Sequence, residues 1–132
     1  MTLTLEDRLA ITDLVNRHGH LTDAGDFDAY RELFTEDVVY DVSDLGFGAI
    51  EGLAATRAAA EALGEHNPLA HHVTNVVVTA VGDGARALSK GFGLMTSGAV
   101  GSVTYDDVVV RTDRGWRISR RTVKARREPL KA

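Results

Sequence analysis

Residues 69–81 read LAHHVTNVVVTAV, two adjacent histidines leading into a run of β-branched residues. Pro68 stands before the run and Gly82 after it, which predicts a β-strand with turn residues at both ends. Successive side chains of a strand point to opposite faces, so His71 and His72 serve different surfaces. Strict alternation groups His71, Val73, Asn75 and Val77 on one face and His72, Thr74, Val76, Val78 and Ala80 on the other. Both sets are largely apolar. That predicts a strand covered on both sides, by helices on one and by a second subunit on the other.

Three further β-type runs follow: ARALSKGFGLMTS (85–97), GSVTYDDVVVRT (101–112) and GWRISRRTVKAR (115–126). The short links GDG, GAVG and TDRG favour antiparallel hairpins over crossover helices. In the first of these runs Arg86, Leu88, Lys90, Phe92 and Leu94 share one face. The other face holds Ala85, Ala87, Ser89, Gly91 and Gly93 and lacks bulk. Glycine within a strand marks a bend or the close approach of another body, so the sheet is expected to curve strongly.

Upstream of Pro68 the apolar period is longer. Leu5, Leu9, Ile11, Leu14, Val15 and Leu21 fall mainly three and four residues apart, predicting an amphipathic helix to about Ala24, with His18 on its apolar stripe. Gly25 offers a stop, and Asp26 offers a cap to a second short helix, FDAYRELF, with Phe27, Tyr30, Leu33 and Phe34 on one face. VVYDV (38–42) reads as a strand, DLGFGAIEG (44–52) as a glycine-rich turn, and LAATRAAAEAL (53–63) as a helix ending at Gly64. Helices come first and strands later. The expected class is α+β, a cone in which N-terminal helices cover the concave face of a strongly curved antiparallel sheet, with residues 1–132 forming one domain.

Composition limits the chemistry. The chain has 132 residues, is 44% hydrophobic and carries a net charge of −4, which suits a compact domain and argues against a polyanion partner. The basic stretch RRTVKARREPLKA near the C-terminus is read as a solvated strand edge and tail, so nucleic acid is not an expected partner. There is no cysteine, so thiolate nucleophiles and zinc–thiolate sites are impossible. The N-terminal residues read neither as a signal peptide nor as a membrane span, and the expected location is the cytoplasm. No Gly-x-Ser-x-Gly elbow or phosphate loop is present, and His18, His71 and Asp23 lack the short spacings of a recognisable metal site. Neither a cofactor nor a metal is expected.

The order of elements, the segment LTDAGDFDAYRELFTEDVVYDV, the strand opening HHVTNVVV and the terminal DRGWRISRRTV together resemble the SnoaL-like branch of the nuclear transport factor 2-like superfamily. The resemblance covers nearly the whole chain. It implies an α+β cone with a deep apolar pocket, a tendency to form symmetric homodimers, and an activity akin to the family's dehydratases, dehydrochlorinase and polyketide cyclases. It also implies a site. Asp23 matches the family's pocket aspartate after the first helix, and His71 matches the partner histidine, which makes His71 the inward one of the pair. His18 stands where relatives carry a tyrosine or lysine, Tyr40 matches an aromatic pocket position, and Arg121 matches an arginine that some members present to the ligand.

The residue types suit that chemistry. A histidine works as a general base near neutrality, and a carboxylate on its other ring nitrogen fixes the tautomer and stabilises the imidazolium. A carboxylate in the last turn of a helix faces the negative end of the dipole, a local violation that marks Asp23. His18 or Tyr40 would assist a leaving oxygen. Arg121 is either a clamp for an anionic oxygen or a cross-strand partner of Asp106 or Asp107. Phe27, Tyr30, Phe34, Phe47, Phe92, Met95 and Trp116 are candidate pocket-lining residues. The expected function is a cofactor-independent dehydratase or other lyase acting on a small, apolar, cyclic molecule. An isomerase or cyclase in the same pocket, and a non-catalytic binding domain, are the alternatives.

Overall fold

The computed structural model describes residues 2–131. Helix α1 runs Leu5–Ala24 and starts at a capping box in which Thr4 and Asp7 exchange side-chain to backbone hydrogen bonds of 3.0 Å. Asp7 also accepts from Arg111 at 2.8 Å and from the Trp116 indole at 3.1 Å. The backbone bond from Thr4, then Arg111, hold its carboxyl well below the usual carboxylate range. One residue therefore caps the helix and fastens it to the sheet. Gly25, left-handed at φ 71°, ends the helix. The buried stripe is Ile11, Leu14, Val15, His18, Gly19 and Thr22, while Leu5 and Leu9 are exposed.

A 3₁₀ turn, Phe27–Glu32, takes the place of the second short helix, and the Asp26 side chain makes no capping bond. Phe34 belongs instead to strand β1, Phe34–Asp41, which extends the strand expected at 38–42 toward the N-terminus. Strand β2 is Ala49–Glu51 and helix α2 is Leu53–Leu63. Strands β3 (Ala70–Val81), β4 (Gly84–Leu94), β5 (Val100–Thr112) and β6 (Gly115–Ala125) form the expected antiparallel hairpins. The six strands make one sheet in the order β2-β1-β6-β5-β4-β3, in which β1 runs parallel to β6. The fold is α+β, with the N-terminal helix lying over a curved, unclosed sheet.

Two bulges govern which side chains point inward. In β3, Thr74 pairs with Lys90 and Val77 with Leu88, so Asn75 and Val76 together oppose Ser89. Asn75 takes φ 58°, a left-handed conformation that asparagine tolerates better than most residues. The alternation restarts there. His71 and Val73 face inward before the bulge, and Val76, Val78 and Ala80 face inward after it. Strict alternation had put Val76 and Val78 with His72; the bulge moves them onto the core side and puts Val77 and Val81 outside. In β6, Val109 pairs with Ile118 and Val108 with Arg120, leaving Ser119 unpaired. Trp116, Ile118, Arg121 and Val123 are consequently all buried.

Along the concave face the core divides. The larger part gathers α1 residues with Leu33, Phe34, Val38, Ala85, Ala87, Val109, Trp116 and Ile118. A smaller part, Val42, Tyr105 and Val123, lies toward the other end of the strands. Between them Ser89, Asp107 and Arg121 on β4, β5 and β6 are fully buried, and Tyr40 on β1 pairs in register with Arg121. This polar band separates the packed half of the sheet from a hollow half.

Candidate active site

Asp23 stands in the last turn of α1, directly over the first residues of β3. Its Oδ2 accepts the backbone N–H of His71 at 3.0 Å, and its Oδ1 lies 2.6 Å from His71 Nδ1. No basic residue occupies that last turn, so these two N–H groups are what offsets the unfavourable dipole. With Nδ1–H donated to the carboxylate, the lone pair of the neutral imidazole sits on Nε2. His72 points to the outer face and stacks on Phe92, with ring centroids 4.7 Å apart.

His18 lies on the helix face above. Its ring centroid is 6.2 Å from that of His71 and 6.0 Å from that of Tyr40. Burial, then the Arg121 cation and His71, hold its pKa well below the ordinary imidazole range. It is therefore a neutral hydrogen-bonding group near pH 7, not a charged proton carrier. Its Nδ1 is buried without a partner. Burial raises the Tyr40 phenol, an effect that the neighbouring Arg121 partly opposes. Thr22 donates to the His18 carbonyl at 2.8 Å, so its single proton is spent, and the 2.5 Å contact with Tyr30 is one in which Tyr30 donates.

These groups border a cavity of about 620 Å³ whose wall is mostly apolar. Val42, Ile50, Val103 and Val123 form the sheet side, Ala59, Ala60 and Leu63 come from α2, and Leu45, Phe47, Met95 and Val100 stand toward the loops. His18, Tyr30, Tyr40, Phe47, Met95 and His71 all line it, as the sequence suggests. Asp23 reaches the cavity only through His71, and five of the substrate-binding candidates do not line it. Phe34 and Trp116 are buried in the packed half of the core, and Phe27 packs edge-on against Tyr30 with centroids 5.5 Å apart. Phe92 lies on the outer face because it alternates out of phase with Gly91 and Gly93.

Arg121 is the fifth. It points inward, but its Nε and Nη2 each bond Asp107 at 2.8 Å, and its guanidinium lies 4.4 Å over the Tyr105 ring, behind the cavity wall. Burial opposes its charge, and Asp107 outweighs burial and keeps it above the ordinary guanidinium range. Of the two roles open to it in the sequence, cross-strand pairing with Asp107 is the one observed. Tyr105 itself lines the cavity and was missed, although alternation through Tyr105, Asp107 and Val109 marks a buried face. Thr22, Thr56 and Asn67 were missed as well, and nothing in their local pattern points to a pocket. Among the described residues, no three His, Asp or Glu side chains are grouped to hold a metal ion.

A helix closing one end of a curved sheet, with a His–Asp pair beside a deep apolar cavity, defines an α+β cone of the nuclear transport factor 2-like kind. The chain belongs to the SnoaL-like domain family, whose model matches residues 3–122. It is similar to the crystal structure of a proposed aromatic ring hydroxylase from Novosphingobium aromaticivorans, at 33% identity over 96% of this chain and 94% of that one, with TM-score 0.81. It is also similar to an NTF2-like protein with a cystatin-like fold from the same organism, at 36% identity over 92% and 82% of the two chains, with TM-score 0.75. A hexachlorocyclohexane dehydrochlorinase, LinA-type3 from Novosphingobium barchaimii, shares the fold at 19% identity over 96% and 91%, with TM-score 0.79. No curated protein matches the sequence.

Proposed function

We propose that this protein is a cofactor-independent enzyme of the lyase type, a dehydratase or other eliminase, acting on a small, apolar, ring-bearing molecule. The observation that carries this reading is the 2.6 Å contact between Asp23 and His71 Nδ1 at the wall of the cavity. It leaves His71 Nε2 as the base for a carbon-bound proton. Asp23 stabilises the imidazolium that forms, Tyr40 or His18 donates a hydrogen bond to the departing oxygen, and in a dehydration the carbon–carbon double bond forms as the C–O bond breaks, the imidazolium proton passing to that oxygen, which leaves as water. The apolar wall keeps bulk water away and strengthens each of these contacts. The dehydrochlorinase likeness supports the fold on which such eliminations occur. The likeness to a proposed aromatic ring hydroxylase supports a ring-shaped ligand. The same proton abstraction would serve an isomerase or cyclase, and product analysis separates these.

The test is hydrogen exchange into a carbon acid. In D₂O the protein should speed loss of the α-proton signal of a bicyclic ketone such as 2-tetralone. His71→Gln should lower that rate by about 10²–10⁴-fold, the span of general-base catalysis. Equal rates with native protein and variant would refute it and favour a non-catalytic binding domain.

A further inference from the structure

Gly91 stands on the inward face of β4, in register with Val73 of β3 and Val103 of β5, and is buried behind the cavity wall. Tyr105, two residues along β5 from Val103, leans its ring across the place where a side chain at 91 would stand. A Cβ there would overlap the ring at Cε2, stand 3.2 Å from its Cζ and lie 3.1 Å from the His72 carbonyl oxygen. The ring thus fills the volume that glycine leaves empty. Three further neighbours confine it. The Arg121 guanidinium, 4.4 Å from the ring centroid, is held by two bonds to Asp107, and Val42 and Val123 are buried beside the ring. The side that remains faces the cavity, which Tyr105 lines.

We infer that Gly91 is a positioning residue: by seating the Tyr105 ring it sets the depth of the cavity, and so the size of the molecule admitted. That role rests on the reading above that this cavity receives the substrate. A side chain at 91 has one way to be accommodated. The His72 carbonyl belongs to the β3–β4 ladder and cannot swing aside, so the ring must turn, and the close-packed groups behind it leave only the hollow to turn into. The nearby glycines differ. At Gly93 a Cβ would stand 2.9 Å from Pro68 Cγ, and at Gly101, which lines the cavity, it would meet nothing within 4 Å. Of the three, Gly91 alone lies under an aromatic ring. It pairs with Val73, two residues beyond His71, and takes no part in the Asp23–His71 contact.

The test is a size series measured by calorimetry, with cyclohexanone and its benzo-fused analogue 2-tetralone. Gly91→Ala should weaken 2-tetralone at least about tenfold and leave cyclohexanone within about twofold. Gly101→Ala adds the same methyl group without displacing the ring, and should hold both ketones within about threefold. Equal losses for the two ketones in Gly91→Ala, or no loss for either, overturn the inference, as does an equal loss of 2-tetralone in Gly101→Ala. If Gly91→Ala does not fold, Tyr105→Leu decides. With the ring removed, the three-ring ketone fluorenone should gain at least about tenfold over 2-tetralone relative to the native protein, and an unchanged preference overturns the inference. Failure of both cyclohexanone and 2-tetralone to bind the native protein in the millimolar range also overturns it. A size split without α-proton exchange refutes the lyase reading and leaves this one standing; exchange without a size split does the reverse.

Discussion

Gly19 and His71 meet through bare backbone: a Cβ at position 19 would stand 2.7 Å from the His71 carbonyl oxygen and 3.2 Å from the His71 Cβ. The obstacle is main chain, which cannot swing aside as a flexible side chain would. Asp23 sits one helical turn further on, so the gap between α1 and β3 at Gly19 sets the length of the Asp23–His71 contact. Gly19→Ala should therefore push the helix outward, costing about 1–3 kcal/mol of overpacking despite alanine's better helix propensity. Exchange activity should fall at least about tenfold. The proton resonance of the Nδ1–H shared with Asp23 should also shift or broaden; an unchanged resonance would remove this role for Gly19.

Asp23→Asn keeps the shape of the dyad and inverts its protons. The amide oxygen still accepts the His71 backbone N–H, while the amide nitrogen donates to Nδ1, which moves the ring proton to Nε2. The helix end also loses an unfavourable charge. Folding free energy should stay within about 1 kcal/mol of the native protein. Turnover should drop by about two to four orders of magnitude, because Nε2 no longer carries a lone pair. Combined with His71→Gln, the loss should barely deepen, as for residues acting as one unit. Additive losses would mean that the two act separately.

His18 makes stability depend on pH with a sign fixed by its surroundings. His71 on β3, Tyr30 in the 3₁₀ turn, Tyr40 on β1 and Arg121 on β6 face it, and none offers a negative charge. Its folded pKa lies well below the ordinary 6.5, so between the two values the unfolded chain holds the extra proton. The stabilisation is complete above the unfolded pKa and declines on acidification, by up to about 1.4 kcal/mol per pH unit. Urea unfolding at pH 7.5 and 5.5, for native protein and His18→Phe, should show a steeper loss in the native protein. Parallel losses would place His18 in a more polar setting.

The outer face of the sheet presents Val77, Val81, Leu88, Phe92 and Val108, all exposed. Among the described residues no helix covers that side. We expect two copies to associate there, sheet against sheet, about a twofold axis. The residues differ from those that alternation picks, since Val76 and Val78 turn inward at the Asn75 bulge. Sedimentation should give a dimer at micromolar concentration, and Val77→Lys together with Leu88→Lys should give a monomer. A native monomer at that concentration would end the idea.

What was legible in the sequence was whatever obeys a period. The amphipathic stripe of α1, the hairpin turns and the small inward face of β4 can each be read directly. Bulges break a period without announcing themselves: Ser119 and Asn75 each add one residue against a neighbouring strand. Counting through them therefore inverts every later side chain. Counted straight through Ser119, Arg121 would fall opposite Trp116 and Ile118, and counting through Asn75 puts the later valines of β3 on the wrong sides. The Asp23–His71 pairing links positions 48 residues apart, and the resemblance supplied it where local pattern could not. Tyr105 was hidden for a different reason, since a buried tyrosine looks alike whether it fills a core or lines a void.

The polar band of Ser89, Asp107, Arg121 and Tyr40 has a consequence for how this protein can change. On one side of it the chain is anchored by tightly filled layers, and on the other the walls enclose space around the smaller buried cluster. Replacements at Leu63 or Val100, which belong to neither cluster, alter the mould without touching the foundation, so the cup can be relined for another guest while the fold keeps its footing. The dyad stands at the rim between them, its histidine on the hollow side and its aspartate on the helix rooted in the solid one. Variation in what is bound and constancy in what is done to it thus reside in separate parts of one small sheet.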